Sequence, residues 1–169
     1  ARKTGRAVKL RLDRDADFLV TGKRHPFALD YEVGFDDDGL IRGIRLVLIS
    51  NCGRSVDLSD AVNNRALFHA DNCYFLPDVE IVSHRCRTNQ PSHTAFRGFG
   101  GPQGMMLIEC VVDDIARALG RDPLDIRRRN FYGTEARNGT PYGMTVEDNV
   151  IGRIVPEFAP RAEYAGRRR

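Results

Sequence analysis

The residues with the most chemical potential are gathered in one run, Thr94-Ala-Phe-Arg-Gly-Phe-Gly-Gly-Pro-Gln103. A glycine-rich turn that enters a helix leaves backbone N–H groups without helical acceptors, and the helix dipole adds partial positive charge there. Anions and oxo groups bind at such places. Gly98, Gly100 and Gly101 carry no Cβ, so the backbone can approach a ligand closely. The spacing is not a dinucleotide fingerprint, because the third glycine of G-x-G-x-x-G falls at Gln103 and the pattern shows no surrounding βαβ unit. No Lys-Ser/Thr pair follows to make a P-loop. On residue types alone, a ligand-binding loop and a merely structural tight turn are equally good readings.

Arg65 is the second candidate. Leu58, Ala61, Val62, Arg65 and His69 recur at three- and four-residue steps behind Asp57, which predicts a helix with Arg65 on its apolar stripe. A guanidinium buried there needs an acceptor or anion to offset desolvation. A salt bridge to Asp57 or Asp60 would supply it, and so would a ligand. His25, His69, His84 and His93 lack metal-ligand spacing and read as surface or supporting residues. Cys52, Cys73, Cys86 and Cys110 form no Cys-x-x-Cys pair and read as buried, reduced thiols.

The elements that must position these residues are strands first and helices later. Ala7 to Leu12 alternates apolar and basic side chains, and Phe27 to Phe35 repeats that period, so both are expected strands. Asp36-Asp-Asp-Gly39 is a hairpin signal, with Leu40 to Ser50 as the return strand. Val79 to Cys86 is a further strand. A helix is expected from about Gln103 to Leu119, ended by Gly120, and another from the Asp122-Pro123 start through Asn130. Gly133 to Gly143 is loop. Thr145 to Phe158 is a last helix, with Pro156 as its candidate stop. The order points to a single α+β domain over residues 1–169, with mixed or antiparallel strands and a hairpin in the N-terminal half and helices mainly in the C-terminal half.

Bulk properties narrow the function. With 41% apolar and 29% charged residues the composition is that of a globular domain. No apolar run approaches the roughly 18 residues of a membrane span, and the basic start leads into charged sequence rather than a signal-peptide core, so a cytoplasmic protein with no membrane partner is expected. The net charge of +3 is small and there is no Trp, which argues against nucleic acid as a partner. Arg127, Arg128 and Arg129 suit the solvated final turn of a helix.

Thr94 to Gln103 closely resembles the segment by which xanthine dehydrogenases and related molybdenum hydroxylases hold their molybdopterin cofactor. Thr21-Gly-Lys-Arg-His-Pro-Phe27, Asn64 to Tyr74, Arg127-Arg-Arg-Asn-Phe-Tyr132 and Pro141 to Asn149 are similar to family segments in the same order, so the likeness covers essentially the whole chain. The resemblance implies three roles. Arg97 aligns with the arginine whose backbone amide lies beside the molybdenum, with Gly98, Gly100 and Gly101 as cofactor-binding neighbours. Phe99 aligns with the phenylalanine that stacks on a flat heterocyclic substrate, although simple core packing would equally explain an aromatic there. Arg65 aligns with the arginine that hydrogen-bonds a purine carbonyl and stabilises negative charge developing on the ring.

The implied activity is purine hydroxylation, in which a water-derived oxygen enters an electron-poor C–H carbon with a glutamate as general base. The resemblance places that glutamate beyond this chain's end, and a further substrate-binding glutamate before its start. The chain alone is therefore expected to be inactive and to retain no cofactor, needing the remainder of the molybdenum subunit together with FAD and 2Fe-2S clusters on other domains or subunits. An aldehyde oxidase or other heterocycle hydroxylase is the alternative within that class, and a catalytically silent structural module is the alternative outside it. An exposed apolar face is expected where the rest of the subunit would sit, and a homodimer is another way to cover it.

Overall fold

The hairpin forms where Asp-Gly demands it. In the computed structural model, which describes residues 1–168, Gly39 takes φ +81° and the Asp36 carboxylate accepts from the amides of Asp38 and Leu40. The Leu40 amide in particular holds the Asp36 carboxyl below its usual value. After a short helix α1 (Arg14–Val20), β1 (Phe27–Phe35) and β2 (Ile41–Gly53) pair antiparallel, from Phe27 opposite Ser50 to Phe35 opposite Ile41. Helix α2 (Ser59–Phe68) then carries the chain over to β3 (Val79–Arg87), which lies parallel to β2 with Ile44 opposite Val79. The result is a mixed three-stranded sheet in the order β1-β2-β3. One βαβ crossover is thus present in β2-α2-β3, where the residue pattern had suggested none.

Helix α3 (Gly101–Leu119) covers the sheet with Leu107, Ile108, Val111, Val112 and Ile115, all essentially inaccessible, against Ile44, Leu46 and Leu48 of β2. Their one-sided helical spacing is what the sequence offers for burial, and it supplies the α3 side of the core. Gly120 ends α3 at φ +62°. The Asp122 carboxylate accepts from the Leu124 amide at 2.7 Å and starts α4 (Pro123–Asn130). Buried Asn130 ties α4 to the hairpin, accepting from the Ile41 amide at 2.9 Å and donating to the Gly39 carbonyl at 2.8 Å. Arg127 is half-buried and binds Glu109 and Asp113 of α3, so only Arg128 and Arg129 are on the solvated face.

Several expectations change. Ala7 to Leu12 is not a strand: the segment has no regular structure, and Val8 and Leu10 are 64% and 83% exposed. Alternation makes a half-buried strand only beside a sheet edge, and none lies alongside here. The missed helix α1 follows, capped by the Asp13 carboxylate, which accepts from the Ala16 amide at 2.8 Å. The last long helix, α5 (Ile151–Arg161), starts later than expected because Asn149 fixes its beginning, accepting from the Ile151 amide at 3.1 Å and donating to the Tyr132 carbonyl at 2.7 Å. It runs on through Pro156, and α6 (Tyr164–Arg167) follows. Of the free cysteines only Cys52 is buried; Cys73 is half-buried, and Cys86 and Cys110 are exposed. His25 and His93 are buried rather than superficial.

Candidate functional site

The run from Thr94 to Gln103 leads from the end of β3 into α3 by two successive turns, with the Phe99 amide donating to Phe96 at 2.8 Å and the Gly101 amide to Gly98 at 2.9 Å. Gly98, Phe99 and Gly100 all adopt left-handed conformations, at φ +91°, +50° and +99°. For Phe99 this costs about 1–2 kcal/mol, a strain that packing must hold in place. Its ring is half-buried and lies outside the core cluster, so core packing does not explain the residue.

The glycines divide between two jobs. A Cβ on Gly100 would meet the Val62 carbonyl oxygen at 2.0 Å, and one on Gly104 would meet that of Ala66 at 2.1 Å. Helices α2 and α3 therefore touch backbone to backbone through a Gly-x-x-x-Gly spacing, of which Gly104 went unnoticed in the sequence. Gly100 and Gly101 are buried by this contact, and Gly98 alone of the three expected glycines is exposed. The amides of Gln103 and Gly104 both turn back to the Gly100 carbonyl at 3.2 Å, so the first turn of α3 is already satisfied. Among the described residues the amides of Ala95, Phe96, Arg97, Gly98 and Gly100 have no acceptor, the last three of them just before the helix.

Arg65 stands beside this turn. It lies one helical turn from both Val62 of α2 and His69, the C-cap of α2, against which Gly100 and Gly101 pack. It is not on the buried stripe, which is Ser59, Val62, Asn63 and Ala66, but exposed. Neither expected salt bridge forms among the described residues, and Asp60 is instead 2.9 Å from Arg85. The fold thus brings Arg65, Arg97, Gly98 and Phe99 to the junction of α2 with the glycine turn, with Arg65 and Phe99 both unclaimed by the core.

Residues before β1 complete the junction. Arg24 donates through Nη2 to the Arg97 carbonyl, and its guanidinium lies 4.4 Å from the centre of the Phe96 ring. His25 contacts Ser59 Oγ through Nε2 at 2.8 Å, and its carbonyl accepts from Gln103 Nε2 at 3.3 Å. Burial, reinforced by neighbouring His93, holds the His25 pKa below its ordinary value. Three buried side-chain polar atoms lack a partner among the described residues: Arg24 Nη1, His25 Nδ1 and Gln103 Oε1. All belong to this one junction. Buried polar groups are nearly always satisfied, so such a cluster marks a place where a polar ligand belongs. With the free amides it offers donors for oxo or phosphate oxygens and an acceptor for a ring N–H. Sequence reasoning gave Arg24, His25 and Gln103 no role; the run Thr21 to Phe27 was the available signal.

A cleft of about 730 Å³ between α4 and α5–α6, lined by Asp122, Pro156 and Tyr164 among others, contains none of these residues. Among the described residues no three His, Cys, Asp or Glu side chains form a metal-holding group.

Comparison with known proteins shows the family. The family model of the molybdopterin cofactor-binding domain matches residues 1–131. Xanthine dehydrogenase of Drosophila subobscura is 46% identical over 163 residues, and xanthine dehydrogenase/oxidase of Gallus gallus is 44% identical over 167. These cover 96% and 99% of this chain, which spans 12% of each relative's length. The solved aldehyde oxidoreductase of Desulfovibrio gigas superposes with a TM-score of 0.78 at 26% identity, covering 85% of this chain and 16% of that one. A copper- and molybdenum-containing CO dehydrogenase shares the fold at a TM-score of 0.81 and 19% identity, over 93% of this chain and 20% of that one. The chain belongs to the molybdopterin cofactor-binding domain family, as part of the molybdenum-binding region typified by xanthine dehydrogenases.

Proposed function

We propose that residues 1–169 form part of a molybdopterin-binding domain and supply one wall of the cofactor and substrate site in a purine hydroxylase acting on xanthine or hypoxanthine. The observation that carries this reading is the cluster of buried polar atoms without partners beside the free amides of the glycine turn, with exposed Arg65 on the helix that packs against that turn. The amides of Arg97 and Gly98, with Gln103, would hold oxygen and N–H groups of the molybdenum cofactor, and Gly100 and Gly101 support that turn from behind. Bound there, the cofactor supplies two-electron oxidation of a C–H carbon with oxygen from water. Phe99 offers its ring face to a planar substrate and limits its orientation. Arg65 donates to a ring carbonyl and stabilises negative charge as it develops, an interaction worth more in the transition state than in the ground state.

On this reading the rest of the molybdenum subunit supplies the general base, and FAD and iron–sulfur clusters on other domains or subunits accept the electrons. The setting is cytoplasmic purine catabolism; in the structure, no described helix is long and apolar enough to cross a membrane. An aldehyde-oxidising activity is the second reading, favoured by the likeness to a solved aldehyde oxidoreductase. Arg65 decides between them, since an aldehyde offers no ring carbonyl to bind. In the enzyme assembled around this chain, Arg65→Met is expected to lower kcat/KM for xanthine by about 100-fold, the loss typical of one transition-state donor. Turnover of a simple aromatic aldehyde should stay within about threefold. Equal losses on both substrates would contradict the purine assignment.

A further inference from the structure

The three residues of Arg24-His25-Pro26 lie where the strand-like lead into the glycine turn is tied down. The Thr94 amide donates to the Lys23 carbonyl at 3.1 Å, and the Lys23 amide donates to His93 Nδ1 at 3.3 Å. The contact is close enough that a Cβ on Gly22 would fall 1.9 Å from the Ser92 carbonyl oxygen. Arg24 extends this strap to the turn itself. One guanidinium nitrogen binds the Arg97 carbonyl, and the guanidinium is stacked over Phe96. The other, Nη1, is buried without a partner and lies 3.7 Å from where a Gly98 Cβ would stand.

A buried guanidinium nitrogen with no acceptor carries an uncompensated desolvation penalty. Arg24 does not need Nη1 for packing, since the stack on Phe96 and the bond to Arg97 already fix the side chain. Fixing the Arg97 carbonyl also fixes the plane of the Arg97–Gly98 peptide, and with it the direction of the Gly98 N–H. The amides of Arg97 and Gly98, which have no acceptor among the described residues, flank that carbonyl.

We propose that Arg24 is the positioning residue of the cofactor turn: it clamps the Arg97 carbonyl so that the neighbouring amides are presented together, and its free nitrogen donates to an oxygen of the same bound group. This rests on the molybdopterin reading above. It adds a side chain from the segment before β1, remote in sequence from the glycine motif, as a determinant of cofactor retention. Lysine cannot replace it, because one ammonium cannot serve the fixed fork that reaches two acceptors while lying flat on an aromatic ring.

The test compares wild type, Arg24→Met and Arg24→Lys in the enzyme assembled around this chain, with molybdenum and pterin content measured per protein and the Mo(V) electron paramagnetic resonance spectrum recorded. Arg24→Met is expected to lose cofactor about tenfold and Arg24→Lys to recover less than about half of it, as for loss of a charge-assisted hydrogen bond. The cofactor that remains should show an altered Mo(V) signal. Hydrogen exchange of the unloaded chain gives an independent readout: residues 96–101 should exchange about tenfold faster in Arg24→Met, with the β1–β2 hairpin unchanged. Wild-type cofactor content, spectrum and exchange in both variants would overturn the proposal. So would equal acceleration of exchange throughout the chain, which would make Arg24 a general fold residue. A wild-type assembly that holds no molybdenum would instead overturn the molybdopterin reading itself.

Discussion

Gly104→Ala tests how the site is held together. Gly104 sits inside α3, where alanine would ordinarily gain about 1 kcal/mol in helix propensity. Its Cβ, however, would lie 2.1 Å from the Ala66 carbonyl oxygen and 3.2 Å from the Ala70 amide nitrogen. These are backbone atoms, so no side chain can rotate away, and α3 must move from α2 by roughly an ångström to restore contact distance. Overpacking costs about 1–3 kcal/mol, and a clash with fixed backbone atoms falls in the upper part, about 2–3 kcal/mol, so a net loss of about 1–2 kcal/mol remains after the propensity gain. Urea denaturation followed by circular dichroism should show the loss as a lower midpoint with unchanged slope, and thermal melting as a fall of about 2–4 °C per kcal/mol. Gly104→Val should lose more. Gly139→Ala, where a Cβ meets nothing within 4 Å, should stay within about 0.5 kcal/mol of wild type. A Gly104→Ala chain as stable as wild type, or more so, would refute the backbone contact between the helices.

Two further outcomes follow from buried polar groups. His25 has its folded pKa below its ordinary value of 6.5 through burial and the nearby His93, with Asp57 opposing. The unfolded chain therefore takes up the proton first, so stability is full above pH 6.5 and falls as the pH drops below it. Denaturation midpoints measured down this range should decline less in His25→Gln; an identical decline would remove His25 as the cause. Asn130→Ala leaves the buried Ile41 amide and Gly39 carbonyl without their partner and should cost about 2–4 kcal/mol by urea denaturation, whereas a loss below about 0.5 kcal/mol would mean the hairpin does not depend on that link.

What the sequence made legible was local. Asp36 to Gly39 specifies its turn by positive φ at Gly39, and Gly120 and Asp122 specify the end of α3 and the start of α4 by capping chemistry within a few residues. The parallel pairing of β3 with β2 was not legible, because the choice of neighbour depends on where α2 packs. Ala7 to Leu12 has a strand's period but no edge to join, so periodicity alone misled there. Val8 and Leu10 of that segment, and Phe18 and Leu19 of α1 at 59% and 77% exposure, stay in solvent.

The candidate site divides in the same way. The glycine run announced itself, as did Phe99. Arg65 was singled out because the helical wheel put it on the buried stripe, whereas the actual stripe passes through Val62, Asn63 and Ala66 and leaves Arg65 exposed. Gly100 was read as room for a ligand, yet its lack of a Cβ is required by the α2 backbone. Arg24 lay in the family-like run Thr21 to Phe27, but nothing local gave it a role, because its partners are the Arg97 carbonyl and Phe96, more than seventy residues on.

The most direct test of the central claim is metal analysis by mass spectrometry with fluorescence of the oxidised pterin, on the chain alone and after assembly with the remainder of a molybdenum subunit. The account predicts molybdenum and pterin in equal amounts in the assembled sample, with residues 96–101 more strongly protected from hydrogen exchange when they are present. A folded, assembled sample with neither molybdenum nor pterin would contradict it.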